Sequence, residues 1–317
     1  MPWTNQTSII KFLLLGFGNP KEIQILLFVV FLVIYIVTLA GNLLIVALVV
    51  ADQQLHTPMY FFLGNLSFLE TCYTSVTAPR LLAGFLAEDR TISFSDCITQ
   101  LFFFGALACI ECFLLAVMAY DRYLAICNPL NYNVIMNLRV CLQLVSASWV
   151  TGFSANALVV GMVHQLSFCG PNEINNFFCD MEELLKLSCT KSLLVKMIVL
   201  VSCSLVSLAP FLFIVVSYIL ILLAILRIAS SAGRQKAFST CASHLLVVSL
   251  YYGTIIIMYV MPSAEWSPAL HKALSLMYTV ITPMFNPIIY SLRNKEVKEA
   301  LRKVVSKLVP FTRHRTY

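Results

Sequence analysis

A chain of 317 residues that is 60% hydrophobic and 11% charged holds more apolar side chain than a water-soluble fold can hide, because soluble domains average roughly 45–50% apolar and about 25% charged. Its mean hydropathy of +0.86 puts the excess into long apolar runs, so the sequence reads as an integral membrane protein. The net charge of +6 suits anionic lipid or an acidic partner and argues against a nucleic-acid partner.

In chain order, Asn5-Gln6-Thr7 is a glycosylation acceptor that functions only if the N-terminus is extracellular, whereas Asn65-Leu66-Ser67 falls inside an apolar run. No cleavable signal peptide is expected, since Lys11 interrupts the first apolar stretch. Runs free of Lys, Arg, Asp and Glu cover 23–50, 140–163, 197–226, 237–264 and 273–292, and two more, 58–79 and 98–119, each hold one acid, Glu70 and Glu111. Each run spans about 30 Å of hydrocarbon as a helix, and lipid offers no partner to an open backbone, so all seven are predicted to be helical. The predicted spans are about 24–50, 58–80, 97–123, 140–162, 196–226, 237–261 and 272–292, in a single domain over 1–317 with no internal repeat. Beyond them, 294–308 alternates basic residues with Val297, Ala300, Leu301, Val304, Val305 and Leu308, the pattern of an amphipathic helix lying on a membrane surface. A cytoplasmic C-terminus collects the basic tail on the inside, as the positive-inside rule favours, although Lys11 and Lys21 before the first span argue locally the other way.

The 11 cysteines are too scattered for a disulfide scaffold. Four of them, Cys97, Cys169, Cys179 and Cys189, stand at one face, three in the long connection 165–196, and they allow three pairings. Glu70 and Glu111 are functional candidates because burying an ionisable group in lipid costs at least about 2.5–3.5 kcal/mol. They form either a cation site with Asn42 and Asn286 as further oxygen donors or two protonated acids bonded to neighbours. Along the third span Phe104, Ala108, Glu111 and Arg122 share one stripe about 27 Å long, with Asp121 beside Arg122 at its end. Tyr252 and Tyr259 stand seven apart on the sixth span with Ile255 and Ile256 between them, and Pro210, Pro283, Pro287 and Gly253 mark weak points in their helices. Cys109, Glu111 and Cys112 lack a histidine at helical spacing for a metal site, and no phosphate loop or catalytic motif is present.

Met118-Ala119-Tyr120-Asp121-Arg122-Tyr123 ending the third span and Asn286-Pro287-Ile288-Ile289-Tyr290 ending the seventh resemble a rhodopsin-like G-protein-coupled receptor. More narrowly, Leu55-His56-Thr57-Pro58-Met59-Tyr60, the decapeptide from Met118 to Cys127, Ser217-Tyr218, the stretch from Lys236 to His244 and that from Pro283 to Asn294 resemble an odorant receptor of the tetrapod type. Glu70 stands where that family more often has Asp, and Tyr251-Tyr252-Gly253 where Phe-Tyr-Gly is commoner. The resemblance implies disulfides Cys97–Cys179 and Cys169–Cys189, a sodium-type site at Glu70 and Glu111, and roles for Asp121, Arg122, Tyr123 and Tyr218 in G-protein coupling. It implies no enzymatic activity and no required cofactor. Counting from the matched motifs, the expected ligand pocket comprises Phe104, Gly105, Ala108, Cys109, Cys112, Ser202, Cys203, Val206, Tyr252, Ile255, Ile256, Tyr259, Leu276 and Thr279. None is charged, so the expected ligand is a small neutral volatile, with Tyr259 or Ser202 as polar anchor and the loop acids Asp180, Glu182 and Glu183 as the only nearby counter-ions. The expected output is a stimulatory olfactory-type G protein raising cyclic AMP, from a plasma-membrane receptor. The rival readings are a membrane transporter or channel that uses Glu70 and Glu111 as an ion site, but the repeated halves of the first and the pore lining of the second are not visible.

Overall fold

The structure, a computed structural model, describes residues 11–18, 21–87, 89–168, 171–189, 193–260 and 267–308. Its helices in chain order are α1 (Lys21–Ala51), α2 (Pro58–Leu86), α3 (Phe94–Cys127), the short α4 (Tyr132–Ile135), α5 (Leu138–His164), the short α6 (Met181–Leu187), α7 (Leu193–Leu226), α8 (Ser231–Val260), α9 (Pro268–Leu276), α10 (Thr282–Arg293) and α11 (Lys295–Leu308). The seventh span is composite, α9 and α10 being joined by a π-helical segment, Met277–Ile281. Among the described residues, six helices are long and apolar enough to cross a membrane by length and composition alone. The remaining span, α2, is 29 residues and about 43 Å long, and it is more polar because it lies inside the bundle. Its hydroxyls spend themselves on their own helix: Thr71 donates to the Ser67 carbonyl at 2.9 Å, Thr74 to that of Glu70 at 2.8 Å and Ser75 to that of Thr71 at 2.7 Å.

The bundle is apolar outward. Helix α1 exposes Ile25, Leu26, Val29 and Val33 while burying Thr38, Asn42, Ile45 and Leu48 on one helical stripe. Helix α3 is the hub, packed against α2, α5, α7 and α8. Its closest crossing is with α5 at Gly152, where a Cβ would meet the Ile110 backbone nitrogen at 3.0 Å and the Ala106 carbonyl at 3.1 Å. Backbone on the other side cannot give way, so Gly152→Ala is expected to lower thermal stability by about 1–3 kcal/mol, read as the melting midpoint of the purified receptor.

The helices continue through Pro210 and Gly253. The irregularity falls at Met277–Ile281, just before Pro283, which has no N–H to return to the preceding turn and whose ring crowds it. The Met277 carbonyl accepts both the Thr282 N–H and, at 3.0 Å, Thr282 Oγ1, and the Pro283 carbonyl, to which Pro287 has no N–H to return, accepts Asn42 Nδ2 at 3.3 Å.

One end of the bundle carries a three-stranded sheet that the hydropathy pattern did not announce. Strand β1 (Lys11–Leu14) lies between β2 (Thr91–Ser93), antiparallel with Phe12 opposite Ile92, and β3 (Glu173–Ile174), parallel with Leu14 opposite Ile174. Alternation turns Phe12 and Leu14 into a second apolar cluster with Ile92, Leu101, Val163, Ile174 and Leu184. At the opposite end α11 buries Val297 and Ala300 and exposes Lys298, Arg302 and Lys303. It is pinned there by Tyr60 Oη donating to Glu296 at 3.0 Å and by Lys303 Nζ, 3.1 Å from Asp52 and 2.7 Å from Gln54.

Candidate ligand pocket, buried acids and coupling cavity

Three polar constellations occupy successive levels of the bundle, and α3 contributes to each. Nearest the sheet, Phe104 is buried among Tyr73, Phe178 and Tyr278, with ring centroids 5.0, 5.1 and 5.9 Å away. One turn below, two adjacent tyrosines of α8 reach across to α3: Tyr251 Oη donates to the Ala108 carbonyl at 2.7 Å and Tyr252 Oη to the Cys112 carbonyl at 3.1 Å. These bonds satisfy hydroxyls that are otherwise costly in an apolar interior, and they tie α8 to α3. Tyr251 was not among the expected pocket residues; its neighbour's place in the motif was the available signal.

The other expected pocket residues separate into groups. Ile255 is buried and Ile256, Ser202, Val206 and Leu276 are half-buried. Cys203 is exposed although it shares the α7 face of buried Val199 and Pro210, and Cys109 on α3 is half-buried. Thr279 is buried with its hydroxyl committed to the Ser275 carbonyl at 2.6 Å. Gly105 faces elsewhere: a Cβ there would lie 2.5 Å from Asn156 Oδ1, so it serves the crossing with α5. The Tyr259 side chain lies outside the described residues, as do Asn5 and Cys169.

Residues 177–187 close this end. Cys97 and Cys179 are bonded, as the resemblance implies. Cys189 is also disulfide-bonded, and its N–H donates to the Ser167 carbonyl at 3.0 Å. The Cys179 N–H donates to Gln100 Oε1 at 3.0 Å, and buried Asn176 Nδ2 reaches Ser275 Oγ at 3.3 Å. The three loop acids are all engaged. Glu182 faces Lys186 at 3.0 Å and His271 at 3.5 Å, Glu183 pairs with Lys186 at 2.8 Å and accepts the Asn175 N–H, and Asp180 caps α6 by accepting the Glu182 N–H at 2.8 Å. Burial pushes the Asp180 carboxyl up to about 6. As the pH rises from about 4 to about 6, the unfolded chain has lost this proton while the folded lid retains it, so lid stability falls through that window and then levels. Asparagine keeps the capping oxygen and carries no charge. Asp180→Asn is therefore expected to flatten that dependence and to gain up to about 3 kcal/mol at pH 7, read by amide exchange of α6 at pH 5 and 7.

At the middle level Glu70 and Glu111 are fully buried and face each other, and Asn286 Nδ2 donates to Glu70 Oε1. Among the described residues, Glu70 Oε2, Glu111 Oε1 and Asn286 Oδ1 have no hydrogen-bond partner, nor does Asn42 Oδ1, whose amide bonds the Pro283 carbonyl of the same span as Asn286. The two carboxyls and Asn286 form a donor set for a hard cation, or else they share protons.

Toward α11, Asp121 and Arg122 are joined through Arg122 Nε at 3.1 Å, and Tyr132 Oη donates to the other Asp121 oxygen at 2.7 Å. Burial and then the Asp121 charge push the Tyr132 phenol up, so it remains a donor at physiological pH. Tyr218 Oη and His244 Nδ1 are 2.6 Å apart, with nearly parallel rings. A cavity lined by Met59, Met118, Asp121, Arg122, His244 and Tyr290 opens beside them. Tyr123 is half-buried. The expected residues Asp121, Arg122 and Tyr218 thus meet, with His244, Tyr132 and Tyr290 added. His244 and Tyr290 had been quoted only as parts of motifs.

Seven helices, a disulfide-tied lid and an arginine-centred cavity at the far end define a multi-pass membrane receptor of the G-protein-coupled class. The family model described as olfactory receptor matches residues 31–308. The chain is 51% identical over 308 residues to human Olfactory receptor 11L1, covering 95% of this chain and 94% of that one. It is 48% identical over 305 residues to mouse Olfactory receptor 5AP2 and 51% over 306 to human Olfactory receptor 10A5, each at 96% coverage of both chains. The chain belongs to the olfactory receptor family, whose members are odorant receptors and not enzymes.

Proposed function

We propose that the ligands are small neutral volatiles such as alcohols, ketones, esters or aromatics, bound between α3, α7, α8 and the seventh span, and that the sheet end is extracellular and the α11 end cytoplasmic, at the plasma membrane. The observation that carries this reading is the uncharged level of the bundle around Cys109, Cys203 and the Tyr251 and Tyr252 bonds to α3, under a lid whose acids already have partners. A buried amine or carboxylate there has no free counter-ion and pays several kcal/mol of desolvation. A neutral ligand wedged against α3 competes with the two tyrosine bonds, loosens α8 and so opens the cavity at Arg122 to a stimulatory olfactory-type G protein, raising cyclic AMP. The ligand acts only in so far as it binds the opened arrangement better than the closed one. Inner-leaflet lipid supports α11 through its basic face.

Glu70 and Glu111, with Asn42 and Asn286, would hold a sodium ion, whose charge would tie α2, α3 and α10 together in the inactive arrangement. Glu111→Gln is expected to abolish sodium dependence of signalling; unchanged dependence would assign the acids to shared protons. A chemically broad odorant panel in a cyclic-AMP reporter cell tests the ligand class. Neutral agonists are expected, and a panel in which only amines or only carboxylic acids act would overturn it.

A further inference from the structure

Outside the three constellations, a shallow cleft open to solvent lies at the sheet end between the N-terminal turn, α1, α2 and the connection to β2. Two guanidiniums line it, and each is held by a backbone carbonyl: Arg80 by that of Thr91, Arg90 by that of Leu15 at 3.3 Å. An arginine has five donors, so both retain capacity for an acceptor. Among the described residues the carboxylate at the cleft is Asp89, which already accepts the Thr91 N–H at 2.9 Å. The remaining wall is aromatic, with Phe17 stacked on Phe85 and on Phe177 at 5.8 and 5.6 Å. Gly16 and Gly18, at φ +57° and +64°, turn the chain so that Phe17 faces these rings. Beside the cleft α1 exposes Ile25, Leu26 and Val29.

We propose that this cleft binds an organic anion with an apolar tail, its carboxylate or phosphate on Arg80 and Arg90 and its alkyl chain along the phenylalanine wall. The chemistry is shared by a free fatty acid and by an anionic phospholipid of the surrounding leaflet. The site is linked to the odorant pocket through one step of chain. Phe177 lines the cleft, its neighbour Phe178 is 5.2 Å away ring to ring, and Phe178 packs on Phe104. An occupant therefore shifts odorant potency, a consequence that rests on the odorant reading, whereas occupancy itself does not.

Photolabelling separates the two. The full-length receptor in phosphatidylcholine nanodiscs is exposed to a diazirine-bearing octanoate or to the corresponding alcohol, and adducts are mapped by mass spectrometry. Octanoate is expected to label the peptides carrying Phe17, Phe85 or Phe177, and the alcohol to leave them unlabelled. Arg80→Gln and Arg90→Gln are each expected to raise the half-labelling concentration about tenfold, and Arg80→Lys to restore much of it, as loss and return of one charge-assisted bond require. Nanodiscs containing phosphatidylglycerol suppress the labelling if lipid is the occupant and leave it if the free acid is; either result supports the shared chemistry. Equal labelling by acid and alcohol, or adducts only outside the cleft, would overturn the proposal. The wild-type comparison decides this even if an arginine variant fails to fold. Plain octanoate that competes with the photolabel in the cleft yet never shifts an odorant response would leave the site standing and remove its link to the pocket.

Discussion

Arg122→Ala is expected to abolish the odorant-evoked cyclic-AMP response of surface-expressed receptor while leaving ligand binding within a few-fold of wild type. Arg122 is about 27 Å along α3 from Phe104, too far to touch a ligand in the sheet-end pocket. It is buried against Asp121 in the cavity that also exposes His244 and Tyr290, and Tyr132 holds the second Asp121 oxygen. Removing the guanidinium leaves a buried carboxylate with one phenol partner, and breaking such a pair costs about 3–5 kcal/mol, enough to dismantle the surface that meets the G protein. Arg122→Lys retains the charge without the planar fork and should recover only part of the response. Radioligand or thermal-shift binding beside the cyclic-AMP readout separates the two halves of the prediction, and a full response from Arg122→Ala would refute the assignment.

Cys97→Ser and Cys179→Ser are each expected to cost about 2–5 kcal/mol and to collapse surface expression. The bond closes a loop of 82 residues in sequence and anchors the lid at the top of α3. Without it the lid keeps the Cys179 N–H bond to Gln100 and the contact of Asn176 with Ser275, two neutral bonds worth about 1 kcal/mol apiece, and the contact of Glu182 with His271 at 3.5 Å. Those are too weak to hold Phe177 and Phe178 over Phe104. The double variant should be no worse than either single one, which distinguishes a lost bond from damage by a free thiol. Flow cytometry of tagged receptor measures it, and wild-type expression of both single variants would contradict the role given to the bond.

The seven spans were legible because lipid makes backbone satisfaction local, so each apolar run had to close its own hydrogen bonds. Their ends were less so. Helix α2 continues from the predicted 80 to Leu86 and α8 starts at Ser231 ahead of the predicted 237, because hydrocarbon thickness limits the apolar run and not the helix. The sheet was invisible: β1 pairs with strands about 80 and 160 residues away, and four residues of chain carry no periodic signal of such pairing. Side-chain direction was the other loss. Gly105 has the spacing of a pocket residue but turns to Asn156, and the π-helical segment alters the phase of the seventh span below Leu276, which no count at 3.6 residues per turn anticipates. Arg122, Tyr218 and the acids stood out from sequence because charge and hydroxyl in lipid demand partners. His244, which entered the sequence reading only as the end of the stretch from Lys236, did not.

Nucleotide exchange by purified stimulatory heterotrimer, driven by the full-length receptor in lipid nanodiscs, tests the central claim most directly. A neutral odorant is predicted to accelerate exchange in wild type, and to do so far less when Tyr252→Phe has already removed the bond to the Cys112 carbonyl and raised the ligand-free rate. Exchange that no neutral odorant changes, accompanied by transport of a solute or ion through the same preparation, would contradict the account.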